Sequence, residues 1–163
     1  IVSHFWERFG ATRPTFIVVE PEQADCLYQS ALQGRAARAS GNVDSVMAGL
    51  ACGETSPLAW RFLLPVADFF VTVADPLAEE SMRILAEGRH GDIPVIAGES
   101  GVAGLAALRV MMANSAWRLP AGKADVLLAG SRGPREAAEA FLAQVRLCNP
   151  AVDRSACPAA YPR

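Results

Sequence analysis

Three turns in the sequence follow short apolar runs and carry side chains suited to ligand contact. They are VVEPEQAD (residues 18–25), IAGESGVAG (residues 96–104) and LLAGSRGP (residues 127–134). If each apolar run is a strand of a parallel sheet, these turns lie at the carboxyl ends of the strands, where such sheets bind ligands. Glycine permits close backbone approach, and the amides that open a helix favour an anionic or dipolar ligand.

The turn at residues 96–104 has two interpretations. In the functional one, Gly98 and Gly101 let the backbone approach a flat ring, and Glu99 or Ser100 makes a polar contact. In the structural one, Ser100 caps the following helix and the small residues permit close packing of that helix on the sheet. The pattern alone favours the structural interpretation.

The turn at residues 127–134 is similarly open to two interpretations. Ser131 either offers its hydroxyl to a heteroatom of a ligand or is a turn residue ahead of Pro134. Its composition favours the turn.

The segment NVDSVMAGLACGETS, residues 42–56, is poor in large side chains. It is either a flexible loop near an active site or a packed connector, and the sequence favours neither. Cys52 lies in this segment, but a nucleophilic thiol needs an oriented base, and neither His4 nor His90 lies in a segment that suggests one. We therefore expect Cys52 to be a small buried apolar residue.

Composition excludes several function classes. The 15 basic and 17 acidic residues give a net charge of −2, which provides no broad basic field for nucleic acid or an anionic membrane. The four cysteines form no CxxC pair, so no metal site is expected. No apolar run reaches the roughly 18 residues of a membrane span, and no signal peptide is indicated, so we expect a cytoplasmic protein.

Short apolar runs alternate with segments of helical periodicity, which predicts an α/β fold with a parallel sheet of about four strands and helices on both faces. The predicted strands are PTFIVVEPE, DFFVTV, IPVIAG and ADVLLAG. The predicted helices are IVSHFWERFG, EQADCLYQSALQG, a helix starting at Pro57, one starting at Asp75, one following residue 98, and PREAAEAFLAQVRL. Residues 1–147 are expected to form one incomplete α/β domain, and residues 148–163 a poorly ordered or loosely docked tail.

Two helices carry more specific expectations. In the helix that starts at Pro57, the spacing puts Leu58 and Phe62 on one apolar side. In the next helix, Asp75 is predicted to be the cap before a proline at the first helical position, and Asp25 is taken as a charge stabilised by the dipole at the start of an earlier helix.

Four long stretches, in this order, resemble diaminopropionate ammonia-lyase, a pyridoxal phosphate enzyme of the fold-type II group. They are residues 17–31, 46–60, 67–75 and 95–108. The resemblance runs from Ile1 to Leu128 and weakens from Gly130 onward, and it covers only the C-terminal part of the family's longer chains.

The resemblance implies part of the large domain of a fold-type II enzyme. It also implies a pyridoxal phosphate cofactor, a small amino-acid substrate, a homo-oligomer, and α,β-elimination of 2,3-diaminopropionate to pyruvate and ammonia. In the family, the lysine that attaches the cofactor and the loop that binds its phosphate precede the matching region. Lys123, the single lysine here, does not match that lysine. We therefore assign no catalytic residue and expect this chain alone to be inactive and not to hold the cofactor.

Residue by residue, the resemblance puts Gly98, Glu99 and Ser100 beside the cofactor ring. Ser131 falls near a family hydroxyl that faces the pyridine nitrogen, although AGSRGP departs from the family pattern of threonine and glutamate before the glycine. The stretch from Met47 to Ser56 resembles the family's mobile segment at the active-site mouth.

Two further hypotheses remain. In the first, the chain is a non-catalytic binding or self-association module, and its 52% apolar content favours this hypothesis. Alternatively, a second chain that carries the lysine completes it.

Overall fold

The computed structural model describes residues 1–88 and 92–113 of the chain, which form an α/β arrangement. The α-helices are α1 (Val2–Phe9), α2 (Cys26–Gln33), α3 (Pro57–Val66), α4 (Asp75–Glu87) and α5 (Ala103–Ala113), and the strands are β1 (Ile17–Pro21) and β2 (Phe69–Val73). Two short 3₁₀ turns lie at Gly10–Thr12 and Ala48–Leu50. Within these residues, no helix has the length and apolar character that a membrane span requires.

The two strands pair in parallel, with Ile17 opposite Phe69 and Pro21 opposite Val73. One further hydrogen bond of 3.0 Å, from the Glu22 amide to the Val73 carbonyl, follows the ladder. Both strands were predicted from their β-branched and aromatic runs, and both are confirmed. Their carboxyl ends lie at the same edge, since the strands run in the same direction.

Helices cover both faces of this strand pair. On one face, the ring of Trp60 in α3 packs against Phe70 with the centroids 5.8 Å apart. Neighbouring residues of a strand point to opposite faces, so Val71 and Val73 point away from α3. They pack with the start of α5 in the main core cluster, whose buried members are Met47, Val73, Ala78, Val102, Ala103, Ala106 and Ala107.

The predicted strand IPVIAG is not a strand in this structure, because residues 92–98 belong to no helix or strand. The amide of Val95 instead donates a 2.9 Å hydrogen bond to the Leu85 carbonyl near the end of α4. Ile96 is 77% exposed. An apolar run forms a strand only when a neighbouring strand provides a ladder of hydrogen bonds. Here the Val95 amide is bonded to a carbonyl near the end of α4 and is not available for such a ladder. The predicted strand ADVLLAG and the last predicted helix lie outside the described residues, as does the predicted tail.

Helix α3 begins at Pro57 as predicted, with the Oγ of Ser56 accepting a 3.4 Å hydrogen bond from the Ala59 amide. The side that carries Leu58 and Phe62 is not the buried one, since these residues are 66% and 61% exposed and Trp60 is buried. The helix reads PLAWRFLLPV, which is apolar on nearly every side. The spacing of apolar residues therefore does not indicate which face of α3 is buried. The contact of Trp60 with Phe70 determines the buried face.

The amino ends of the sheet are tied together by a buried ion pair. The guanidinium of Arg13 makes two hydrogen bonds, of 2.6 and 3.2 Å, to the carboxylate of Asp68, just before β2. The same carboxylate accepts a 2.8 Å hydrogen bond from the Phe16 amide, just before β1. The guanidinium also lies over the rings of Trp6 and Phe16. This pair fixes α1 and the starts of both strands relative to each other.

Candidate functional site

One loop, residues 41–50, lies across the carboxyl edge of the strand pair, and we call it the bridging loop. The Val43 amide donates a 2.9 Å hydrogen bond to the carbonyl of Gln23, which follows β1. Further along, the loop is bound by Asp75, which follows β2. Near its end, the amide of Gly49 donates a 2.9 Å hydrogen bond to Oγ of Ser100, in the turn before α5. The loop thus joins the three turns that begin α2, α4 and α5.

Asp75 uses both carboxylate oxygens to hold the bridging loop. Its Oδ1 accepts a 2.6 Å hydrogen bond from the Ser45 hydroxyl, and its Oδ2 accepts a 2.9 Å hydrogen bond from the Val46 amide. The N-cap of α4 is Ala74, with no side-chain capping bond. The prediction that Asp75 caps this helix is therefore wrong, because its acceptors are engaged by a segment distant in sequence.

Met47 anchors the bridging loop in the core. Its side chain is fully buried and belongs to the same cluster as Val73 and Val102. The 3₁₀ turn at Ala48–Leu50 follows directly, closed by a 2.8 Å hydrogen bond from the Leu50 amide to the Met47 carbonyl. A buried side chain at the start of this turn fixes where the Gly49 amide points.

The turn before α5 is built around Gly98, whose carbonyl accepts hydrogen bonds from the amides of Gly101 (2.9 Å) and Val102 (3.2 Å). Ser100 is only 8% exposed. The hydrogen bond described for its Oγ comes from Gly49 rather than from the helix that follows. Ser100 thus binds the bridging loop instead of capping α5, whereas the predicted close packing of α5 on the sheet is confirmed by the burial of Ala103, Ala106 and Ala107.

Hydrogen bonds hold the end of the small-residue segment. Ser30 Oγ lies 2.7 Å from the Cys26 carbonyl and 2.9 Å from Thr55 Oγ1, and it accepts a 2.9 Å hydrogen bond from the Ala37 amide. The Thr55 amide donates to the Ala37 carbonyl at 3.1 Å, and the Ala39 amide donates to the Gly53 carbonyl at 3.0 Å. These bonds hold the end of the segment at Gly53 and Thr55, and the choice between the two interpretations of the whole segment stays a prediction.

Glu20 holds the start of α2 from the end of β1. Its buried carboxylate accepts hydrogen bonds from the amides of Leu27 (2.9 Å) and Tyr28 (2.8 Å). Burial raises the pKa of Glu20 above its ordinary value, against the lowering effect of these amides. Burial, together with the nearby Glu20 charge, raises the pKa of Cys26 to about 11. A thiol that stays protonated is a poor nucleophile, so Cys26 has a structural role.

Asp25 lies at the N-cap of α2, the position predicted for it, and its carboxylate also organises the following loop. It accepts hydrogen bonds from Gln29 Nε2 at 2.7 Å and from the amide and hydroxyl of Ser40 at 2.6 and 2.9 Å. Burial opposes ionisation of Asp25, but these hydrogen bonds prevail and lower its pKa.

Cys52 is exposed, with Sγ 3.3 Å from the carbonyl of Glu54, so the expectation that it is buried is wrong. Nearby, Glu54 forms an isolated antiparallel bridge with Arg38. Within residues 1–88 and 92–113, no group of three or more His, Cys, Asp or Glu side chains is placed to hold a metal ion.

Of the residues singled out in the sequence, the structure brings Gly98, Glu99 and Ser100 together, while Ser131 lies outside the described residues. The roles of Asp75 and Gly49 were missed. A signal for the location of Asp75 was present, since an acidic residue two positions after a parallel strand lies at the edge where ligands bind, although its partners could not be chosen from this signal.

The sequence of this chain matches known proteins over most of its length. A family model described as pyridoxal-phosphate dependent enzyme matches residues 1–130. The diaminopropionate ammonia-lyase of Salmonella typhimurium is 41% identical over 117 residues, which are 70% of this chain and 29% of that protein. This chain therefore spans less than a third of the length of that relative.

Two solved structures resemble the described fold. One is holo diaminopropionate ammonia lyase from Escherichia coli, with a TM-score of 0.57 and 36% identity over 65% of this chain and 26% of that one. The other is serine racemase from maize, with a TM-score of 0.54 and 21% identity over 71% of this chain and 42% of that one. The second likeness concerns the fold alone.

Proposed function

This chain belongs to the family of pyridoxal-phosphate dependent enzymes, and from that premise we propose that it forms one wall of the cofactor site in a diaminopropionate ammonia-lyase-like enzyme. The observation that carries the proposal is the hydrogen bond between Gly49 and Ser100. It joins the bridging loop to the turn before α5, at the edge where parallel sheets bind ligands.

Ser100 supports this assignment by its chemistry. Within the described residues, its Oγ acts as an acceptor for Gly49, which leaves its own hydrogen for a ligand oxygen or nitrogen. The neighbouring Gly98 carries no side chain, and Glu99 adds a carboxylate at the same turn. We assign Gly98, Glu99 and Ser100 to the ring side of the cofactor. Ser131 is assigned to its pyridine nitrogen from the resemblance alone.

When bound, pyridoxal phosphate supplies an electron sink for bond cleavage at the substrate's α-carbon. The residues of this chain would then bind and orient that group. Ser100 would donate its hydroxyl hydrogen, and the bridging loop, anchored by Met47, would cover the edge and exclude water. The described residues include no lysine, because Lys123 is the only one in the sequence. In the resemblance Lys123 does not match the lysine that attaches the cofactor, so we propose that this lysine comes from elsewhere and that this chain alone is catalytically silent.

The relatives suggest the wider setting of the proposed enzyme. We propose a small amino-acid substrate, 2,3-diaminopropionate, which would be converted to pyruvate and ammonia. We also propose a homo-oligomeric enzyme in the cytoplasm, without nucleic acid or membrane partners.

A second candidate function is a non-catalytic self-association module. It is favoured by large apolar side chains exposed on two helices, Trp6 and Phe9 on α1 and Leu58 and Phe62 on α3. Exposed apolar residues of this size mark surfaces that associate.

The test mixes the chain with pyridoxal phosphate, first alone and then with the segment of the Escherichia coli enzyme that precedes the matched region. Visible absorbance of bound cofactor and pyruvate release from 2,3-diaminopropionate are measured. We expect both signals only in the mixture, and a Ser100→Ala chain should weaken them. Signals from the chain alone would contradict its silence. Absence of both signals from a mixture that forms a complex would contradict the cofactor-wall proposal. Self-association of the chain by itself would then favour the module.

A further inference from the structure

The carboxylate of Asp75 lies at the centre of the contacts that hold the bridging loop. We infer that Asp75 is a positioning residue, which fixes the Ser45–Val46 backbone so that the amide of Gly49 reaches Ser100. The importance of the Gly49 amide for a cofactor site rests on the proposed function. The coupling between Asp75 and the Gly49–Ser100 hydrogen bond does not.

A continuous path of short contacts leads from Asp75 to Ser100. The Ser45 hydroxyl donates to Asp75 Oδ1 at 2.6 Å and accepts from the Met47 amide at 3.1 Å. The Val46 amide is held by Asp75 Oδ2, and the Val46 carbonyl accepts a 2.8 Å hydrogen bond from the Ala48 amide. The next amide is that of Gly49. Every residue between Ser45 and Gly49 is therefore fixed directly or through its neighbour.

The bridging loop needs an external anchor because part of its backbone is strained. Val43, two residues before Ser45, has a φ of 66°, in the left-handed region that β-branched residues rarely adopt. Such a conformation persists only where surrounding contacts determine it. The charged acceptors of Asp75 supply the stronger type of hydrogen bond for this purpose.

An amide side chain at position 75 would not serve equally well. Asparagine offers one acceptor oxygen and one donor group, whereas the loop presents two donors, the Ser45 hydroxyl and the Val46 amide. Asp75→Asn therefore keeps the shape and removes part of the anchor. Asp75 also lies in the first turn of α4, so a general effect on that helix must be measured separately.

The test is amide hydrogen exchange by nuclear magnetic resonance on the 15N-labelled 163-residue chain, without any cofactor. Asp75→Asn and Asp75→Ala should speed exchange of the Val46 and Gly49 amides by about tenfold or more, as loss of a hydrogen bond to a charged group allows. Glu79→Gln is the matched control, because Glu79 lies on the same helix and pairs with Arg83 at its surface. It should leave the loop amides unchanged.

A second comparison separates positioning from general stabilisation. Ser100→Ala should speed exchange at Gly49 while leaving Val46 protected, and combining it with Asp75→Asn should add little further acceleration at Gly49. Unchanged exchange at Gly49 in both Asp75 variants would overturn the inference. Equal acceleration in α4, α5 and the loop would also overturn it, since Asp75 would then stabilise the whole chain. Because no cofactor is present, failure of the proposed function would not produce either result.

Discussion

The backbone amide of Gly49 donates a 2.9 Å hydrogen bond to Oγ of Ser100, a residue 51 positions further along the chain. This contact links the loop that follows α2 with the turn that opens α5. The sequence marked the turn for ligand contact and the loop as a possible segment at the active-site mouth, and the contact brings the two together.

Replacement of Ser100 by alanine tests this link. The Ser100→Ala chain loses the acceptor for the Gly49 amide, and we expect its free energy of unfolding to fall by about 1 kcal/mol in urea titrations. Ser3→Ala, at an exposed position of α1, is the matched control and should change it little. Equal stability of the Ser100→Ala chain and the parent would show that the bond contributes nothing.

Asp68→Ala tests the ion pair at the amino ends of the strands. The substitution leaves the buried Arg13 guanidinium without its carboxylate, and we expect a loss of about 3 kcal/mol in the free energy of unfolding. Arg38→Ala breaks an exposed pair with Glu54 and should cost no more than about 1 kcal/mol. Thermal and urea unfolding measure both variants. Similar losses in the two variants would contradict the distinction between buried and exposed pairs.

The pH dependence of stability tests the environment of Glu20. Burial raises the pKa of Glu20 in the folded chain above the ordinary value of 4.5, so the folded state binds its proton more tightly than the unfolded state. The contribution of Glu20 to stability is therefore fully present below pH 4.5 and is lost as the pH rises through the folded pKa. Glu20→Gln should remove this decline in urea titrations.

Asp25→Asn is the control for Glu20, because its effect has the opposite sign. Hydrogen bonds overcome the effect of burial and lower the pKa of Asp25 below 3.8, so its contribution is present above pH 3.8 and is lost as the pH falls through the folded pKa. A Glu20→Gln chain with the same pH profile as the parent would show that Glu20 ionises normally.

Gly41→Ala tests how closely the bridging loop approaches β1. A Cβ at position 41 would lie 2.6 Å from both the Cα and the carbonyl oxygen of Gln23, so backbone must move. We expect a loss of about 2 kcal/mol in the free energy of unfolding, as for other overpacked sites. Gly53→Ala is the matched comparison, since its Cβ would meet only the Val43 side chain at 3.1 Å. A larger loss in Gly53→Ala than in Gly41→Ala would contradict this geometry.

The parts of the fold that local chemistry determines were predictable from the sequence. The strands β1 and β2 follow from β-branched and aromatic runs, and α2 and α4 end at Gly34 and Gly88, both in the left-handed conformation. The buried side of α3 was not predictable, because that helix is apolar on nearly every side. Residues 92–98 have a strand-like composition, but the partner of the Val95 amide is the end of α4.

The candidate site also has a part that was predictable from local sequence and a part that was not. Gly98, Glu99 and Ser100 were found from their turn composition and from the resemblance. The roles of Asp75 and Gly49 depend on contacts between segments that are distant in sequence, and residue type alone offers no means to choose among the possible partners of a carboxylate or an amide. Ser131 remains a prediction.

The hydrogen bonds between Ala37 and Thr55 and between Ala39 and Gly53 have a consequence for motion. They join the two ends of the segment between residues 39 and 53. The loop-closure entropy of this segment therefore does not change if the bridging loop lifts from the strand edge, because its ends stay together. Lifting would break its contacts with Gln23, Asp75 and Ser100 and would withdraw Met47 and Leu50 from the core cluster. Because Met47 is fully buried in the core cluster, its withdrawal would leave a cavity there, and this cost favours the closed loop.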